Sequence, residues 1–204
     1  MSCSLPPEVL CYLEAVEADT PRACPEQHAL AAYVRRVFAE EDIRVDAEQL
    51  RRYLGLVKYF PFERLFPWEE FLIALWDCTY RPDGTPRWKT LLCMVGRGAG
   101  KDGLIAFDGA CSISPYNPVG HYNVDICANN EEQAVTPVKD LAEVLESPRY
   151  EAKLKKHYYH TKELIQGWKN KGVMKGRTNN PKGRDGMRSG KVVFNEVHQF
   201  ENYD

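Results

Sequence analysis

An apolar stretch, Thr90 to Val95, runs directly into Gly96-Arg97-Gly98-Ala99-Gly100-Lys101, six residues with three glycines. No other feature constrains the fold as much. A strand-length apolar run that ends in glycines calls for a sharp turn, and then for an element that covers the strand, which is the arrangement of an α/β core. Leu91 to Val95 carry no charged or amide side chain, so the pattern predicts a strand over 90–95 covered on both faces. Tyr122 to Ala128 and Lys191 to Phe194 read as two more strands. Asn130 and Gln133 predict the cap of an intervening helix whose core face is Ala134, Val138, Leu141, Ala142 and Leu145. Residues 150–190 are basic and spotted with glycine, as short strands and turns over a sheet edge would be.

The first third has a different period. Pro25 suits a first helical position, and Leu30, Tyr33, Val34, Val37 and Phe38 then recur near every 3.6 residues. Asp46 with Gln49 forms a capping box ahead of the stripe Leu50, Tyr53, Leu54 and Val57. Pro67 predicts another helix carrying Phe71, Leu72 and Leu75, closed by the turn Arg81-Pro82-Asp83-Gly84. The expected division is a helical region over 1–60 and an α/β core over 61–204.

Composition excludes several classes. With 44% hydrophobic and 27% charged residues the chain is of ordinary globular type. Seven cysteines (Cys3, Cys11, Cys24, Cys78, Cys93, Cys111, Cys127) contain no C-x-x-C pair and do not divide into disulfides, which points to a reducing cytoplasm. The longest apolar runs are far too short to span a bilayer, so no membrane association is expected. The net charge of −2 conceals 13 Lys/Arg against three Asp/Glu between Arg149 and Lys191. A segment of that sign suits nucleic acid, and equally suits a solvated surface.

The glycine run has a chemical reading. Phosphates are neutralised without bulk when backbone N–H groups converge on them at a helix N-terminus. Gly98, Gly100 and Lys101 supply such a loop, with Lys101 reaching the β- and γ-phosphates. Against G-x-x-x-x-G-K-[ST], the first glycine is Val95, and the hydroxyl that touches Mg²⁺ is Asp102. A glycine-rich turn with a surface lysine fits the loop alone equally well. Val192-Val193-Phe194-Asn195-Glu196 adds a strand ending in acid, where a carboxylate that orients water for ATP hydrolysis would stand. An ordinary strand-end acid is the alternative for Glu196.

Met94 to Gly103 resembles the Walker A segment of tailed-phage terminase large subunits, one branch of which has the same Gly-Lys-Asp. Three more blocks are similar in order: Asp125 to Ala134, Arg177-Thr178-Asn179, and Asn195 to Tyr203. The aromatic run Phe60 to Trp68 with Glu69 resembles that family's approach to adenine, with Glu69 where the family has glutamine. The resemblance spans residues 55–204. It implies a P-loop NTPase-type, mostly parallel sheet flanked by helices, with an N-terminal helical appendage. It further implies ATP and Mg²⁺ as cofactors, and hydrolysis that packages double-stranded DNA into a capsid in the bacterial host cytoplasm. The implied partners are the terminase small subunit, the portal protein and other copies in a ring.

Residue by residue, the resemblance implies that Gly96, Arg97, Gly98, Ala99, Gly100, Lys101 and Asp102 cradle the nucleotide, bordered by Trp68 and Glu69. Glu196 would activate water, and Arg97 would stabilise charge on the γ-phosphate, although a plain basic loop residue fits Arg97 and a core anchor fits Trp68. The family's metal-holding aspartate is here Asn195, for which Asp102 would compensate. His198 stands as in Asp-Glu-x-His boxes, or as a polar contact within the fold. Arg177, Lys182, Arg184 and Arg188 are the candidates for DNA phosphates or a subunit boundary. The family continues past this point with a coupling strand, the rest of the ATPase core and an RNase H-like nuclease domain, so no DNA cleavage is expected. A catalytically impaired nucleotide-binding or DNA-binding remnant is the competing expectation.

Overall fold

A computed structural model of the chain describes residues 5–62, 64–161, 163–177 and 188–199. Two compact units emerge, residues 1–55 with 62–94, and residues 56–61 with 95–204. Residues 62–94, grouped with the core on sequence grounds, thus lie in the helical unit.

In that unit, α1 (Pro7–Glu17) buries Val9, Leu13 and Val16, and α2 (Pro25–Glu40) opens with Pro25 at its first turn. The buried stripe of α2 is Ala31, Val34 and Val37, whereas Leu30, expected on the core face, is 37% exposed. Val34 and Val37 keep the expected face, with Tyr33 and Phe38 half-buried beside it. Asp46 accepts hydrogen bonds from the backbone N–H of Glu48 and Gln49 and so caps α3 (Ala47–Leu54). The reciprocal half of the box is absent. Gln49 instead donates from Nε2 to the Tyr53 hydroxyl and accepts from the Tyr80 hydroxyl, and burial pushes the Tyr80 phenol up to about 12. A two-stranded ladder joins β1 (Arg44–Val45) to β2 (Thr79–Tyr80). Pro67 opens α4 (Pro67–Leu72), which passes into a π turn over Ile73–Asp77. The predicted turn forms, with Gly84 N–H donating to Arg81 O at φ +80°.

The expected strand over 90–95 does not form. Residues 88–96 have no regular structure, and Leu92 and Met94 are 75% and 87% exposed. Apolarity licenses a strand only where a neighbouring edge takes its N–H and C=O groups, and among the described residues no strand pairs with this segment.

The second unit is built on a five-stranded sheet of order β4-β5-β6-β3-β7: β3 (Asn123–Cys127), β4 (Tyr158–His160), β5 (Leu164–Gly167), β6 (Val173–Arg177) and β7 (Ser189–Phe194). β3 lies parallel to β6 and β7, while β4, β5 and β6 pair antiparallel. The sheet is therefore mixed rather than mostly parallel, because the glycine-spotted stretch after short α7 (Glu151–Leu154) folds as hairpins at the edge. Long helices α5 (Lys101–Ser112) and α6 (Glu131–Leu145) join one core, in which Ala106, Ala110, Val138 and Leu141 meet Val124, Ile126 and Met174. Gly109 and Gly176 permit their close approach, since a Cβ at Gly109 would strike Met174 Sδ and one at Gly176 the carbonyl of Ala134. α6 is capped by Asn130, whose side chain accepts from Gln133 N–H, and its predicted face is buried apart from half-buried Ala142.

Candidate functional site

Between Val95 and α5 the chain turns through Gly98 (φ +77°) and Gly100 (φ +83°), conformations that L side chains rarely adopt. Gly100 caps α5, its carbonyl accepting from Leu104 N–H, so Lys101 and Asp102 occupy the first turn. That helix end carries unpaired backbone donors and a partial positive charge.

Residues 93 to 95 positions away complete the cluster. Lys101 Nζ donates to Asn195 Oδ1 at 2.6 Å and to Glu196 Oε1, and lies 3.9 Å from Asp102 Oδ1. Asn195 is 3% exposed, and its Nδ2 donates to Asp102 Oδ1 at 3.1 Å and to the Gln133 carbonyl at 3.2 Å. The sequence shows why that carbonyl is open. Pro137, four residues on in α6, has no N–H with which to take it. A helix-interior proline thereby leaves open the carbonyl that takes the amide holding Lys101, a role that no local signal in the sequence reveals.

Glu196 leaves β7 at φ +55°, in the sparsely populated left-handed region, with its side chain 30% exposed. The hydrogen bond from Lys101 is the main reason its carboxyl titrates below the ordinary carboxylate range. His198 Nδ1 stands 3.4 Å from Glu196 Oε2 and is 73% exposed. The Asp102, Asn195, Glu196 and Lys101 side chains thus converge, with the Gly96–Gly100 loop leading into them.

Beneath this cluster, Lys191 Nζ on β7 donates to Asp108 Oδ1 on α5 at 2.6 Å, with side chains 3% and 9% exposed. This buried pair ties the helix that begins at Lys101 to the strand that ends at Asn195. No motif marks it in the sequence.

The other expected positions divide. Glu69 is buried, its carboxyl accepting from Phe66 N–H at the start of α4 and held above the ordinary range by burial, and Trp68 is half-buried. Both belong to the helical unit. Arg177 donates from Nε to buried Asp125 Oδ1 at 2.7 Å, and Ser189 donates to the other oxygen of that carboxylate. Arg188 is exposed. Lys182, Arg184, Thr178, Asn179 and the run from Phe200 to Tyr203 lie outside the described residues. Among the described residues no helix is long and apolar enough to cross a membrane.

No protein-family model and no curated protein sequence matches this chain. Among solved structures, a crystal structure of the HK97 bacteriophage large terminase superposes with a TM-score of 0.57 at 19% identity, covering 74% of this chain and 31% of that one. This chain therefore spans about a third of that protein's length. At such identity the likeness is one of fold, and the chain has a terminase large-subunit-like fold.

Proposed function

We propose that this chain binds and hydrolyses ATP through the Gly96–Asp102 loop and Glu196, as the ATPase part of a packaging motor that moves double-stranded DNA into a capsid. The observation that carries the reading is the convergence of Lys101 with Asn195 and Glu196 at the N-terminus of α5. A helix N-terminus preceded by positive-φ glycines suits phosphate oxygens, and Lys101 adds the cation. Arg97 in the loop would meet charge developing on the γ-phosphate, and Glu196 would accept a hydrogen bond from the attacking water. The small subunit, the portal and further copies in a ring are the proposed partners, in a bacterial host's cytoplasm.

The donor set fits Mg²⁺. Mg²⁺ takes hard oxygen ligands and is held by one or two carboxylates together with substrate phosphates. Asp102 would supply a carboxylate, held by a hydrogen bond from Asn195 Nδ2, and Asn195 an amide oxygen, which here accepts from Lys101. When bound, the ion would neutralise phosphate charge. Because Asn195 is neutral, Asn195→Asp should raise turnover at limiting Mg²⁺ and lower the Mg²⁺ concentration for half-maximal rate. An unchanged Mg²⁺ dependence would count against metal at this position.

The deciding experiment measures Mg·ATP binding and steady-state hydrolysis by the whole chain beside Lys101→Ala, with and without double-stranded DNA. Wild type should bind and turn over, faster with DNA, and Lys101→Ala should lose both. Binding without turnover would favour the impaired nucleotide-binding reading, for which Asn195 speaks, and no binding would overturn both.

A further inference from the structure

The sheet edge furthest from Glu196 carries a second constellation. Tyr159 on β4 and Trp168 just after β5 are 46% and 44% exposed, with ring centroids 5.8 Å apart. Half-exposed aromatic rings occur singly on many surfaces, but here two lie together and Trp168 is fixed in place. Trp168 donates from its backbone N–H to His157 O at 2.8 Å and from its indole N–H to Lys155 O at 3.2 Å. Those two bonds bring the Lys155–His157 turn beside the Trp168–Lys171 turn, and Lys155, Lys156, Lys169 and Lys171 are all exposed. Lys155 pairs with Glu151 on its own helical turn. Lys171 Nζ lies 5.8 Å from the centroid of the Trp168 ring.

The backbone at Lys171 adds a separate observation. Its φ is +64°, a value at which glycine is at ease and lysine is not, and the turn is held there by buried Asn170. Asn170 Oδ1 accepts from Gly172 N–H and Tyr122 N–H, and its Nδ2 donates to Val119 O at 2.6 Å. A lysine maintained in a strained turn over an exposed ring is presented rather than packed.

We infer that Tyr159, Trp168 and the surrounding lysines form a binding surface for single-stranded nucleic acid. Unstacked bases lie against the two rings, and Lys155, Lys156, Lys169 and Lys171 take the backbone phosphates. Exposed rings interleaved with cations suit unpaired bases, because each base has a π-face to offer, whereas a duplex hides its faces in its own stack. An acidic protein would use the lysines but has less use for two ring faces. The surface makes no use of Lys101 or Glu196, so it stands or falls apart from the ATPase reading.

The test is nucleotide-free binding of fluorescent oligothymidylate and of a mixed-sequence duplex to the whole chain. Trp168→Ala should weaken oligothymidylate binding about tenfold or more, Trp168→Phe should restore most of it, and duplex binding should change by less than about twofold. Lys171→Gln should weaken both ligands and lower the salt slope by about one. Should Trp168→Ala shift the thermal unfolding midpoint, Tyr159→Ala asks the same question at the other ring. Unchanged oligothymidylate affinity in a folded ring variant would overturn the proposal. So would equal losses for single strand and duplex, or wild type that binds an acidic peptide and neither nucleic acid.

Discussion

Glu196→Gln is expected to lower ATP turnover by about 10² to 10⁴-fold, the usual contribution of a positioned acid or base, while nucleotide binding becomes tighter. The second half follows from the geometry. The Lys101 ammonium donates to Glu196 and Asn195, so a phosphate that pairs with it competes with a carboxylate. Glutamine keeps the shape and removes the charge. Acid should act in the same direction on the tether. Because Lys101 depresses the carboxyl of Glu196, the tether is complete above the ordinary carboxylate range and is lost as the pH falls through the lowered value. Calorimetric titration of a non-hydrolysable ATP analogue, beside steady-state hydrolysis, reads both effects. A variant that loses binding together with turnover would show that Glu196 builds the loop instead of competing for its lysine.

Lys191→Met should be the most destabilising single change near the site. It leaves Asp108 buried in a helix that faces the sheet, with its strongest partner gone, and breaking a buried pair from one side costs about 3–5 kcal/mol. Removing both charges in Lys191→Met/Asp108→Leu should recover most of that loss, since a buried pair exchanged for packed apolar side chains is often close to neutral. Urea unfolding midpoints at constant slope measure the cycle. The double variant also separates stability from function. If the pair only stabilises, its recovery restores nucleotide turnover, whereas persistent loss with restored stability would mean that the link between α5 and β7 positions Lys101 against Glu196. A single-variant effect below about 1 kcal/mol would put the pair in the class of surface bridges, against its burial.

The chain also illustrates what a local pattern can and cannot decide. Elements whose signals lie within a few residues are legible in the sequence. Asn130 capping α6, Pro25 and Pro67 opening helices, and the Arg81–Gly84 turn all rest on short-range hydrogen bonding or on a fixed φ. The run ending at Asn195-Glu196 was also legible as a strand candidate, although its pairing with β3 is what makes it one. Of the candidate site, the loop glycines, Lys101 and Glu196 could be named in advance from phosphate and hydrolysis chemistry, whereas Asp102 and Asn195 depart from that pattern and were singled out through the family resemblance.

Other features depended on partners distant in the chain. Leu91 to Val95 has the composition of a buried strand, yet strand formation needs another edge, and composition cannot provide one. Residues 158–177 could be read as strands and turns, but their antiparallel pairing, which makes the sheet mixed, depended on hairpin closure and register. Lys191 and Asp108 are 83 residues apart, and Lys191 looks in sequence like one more charge of a basic segment. The carbonyl that Pro137 leaves open meets Asn195 only because α6 lies against the end of β7. By itself, then, the sequence determined the helix caps, the turns and the chemical candidates, all of which follow from neighbours along the chain. Pairing, the buried ion pair and the side chains that hold Lys101 were decided by the tertiary structure, because their free energy comes from burial and hydrogen bonds between segments that meet only when the chain folds.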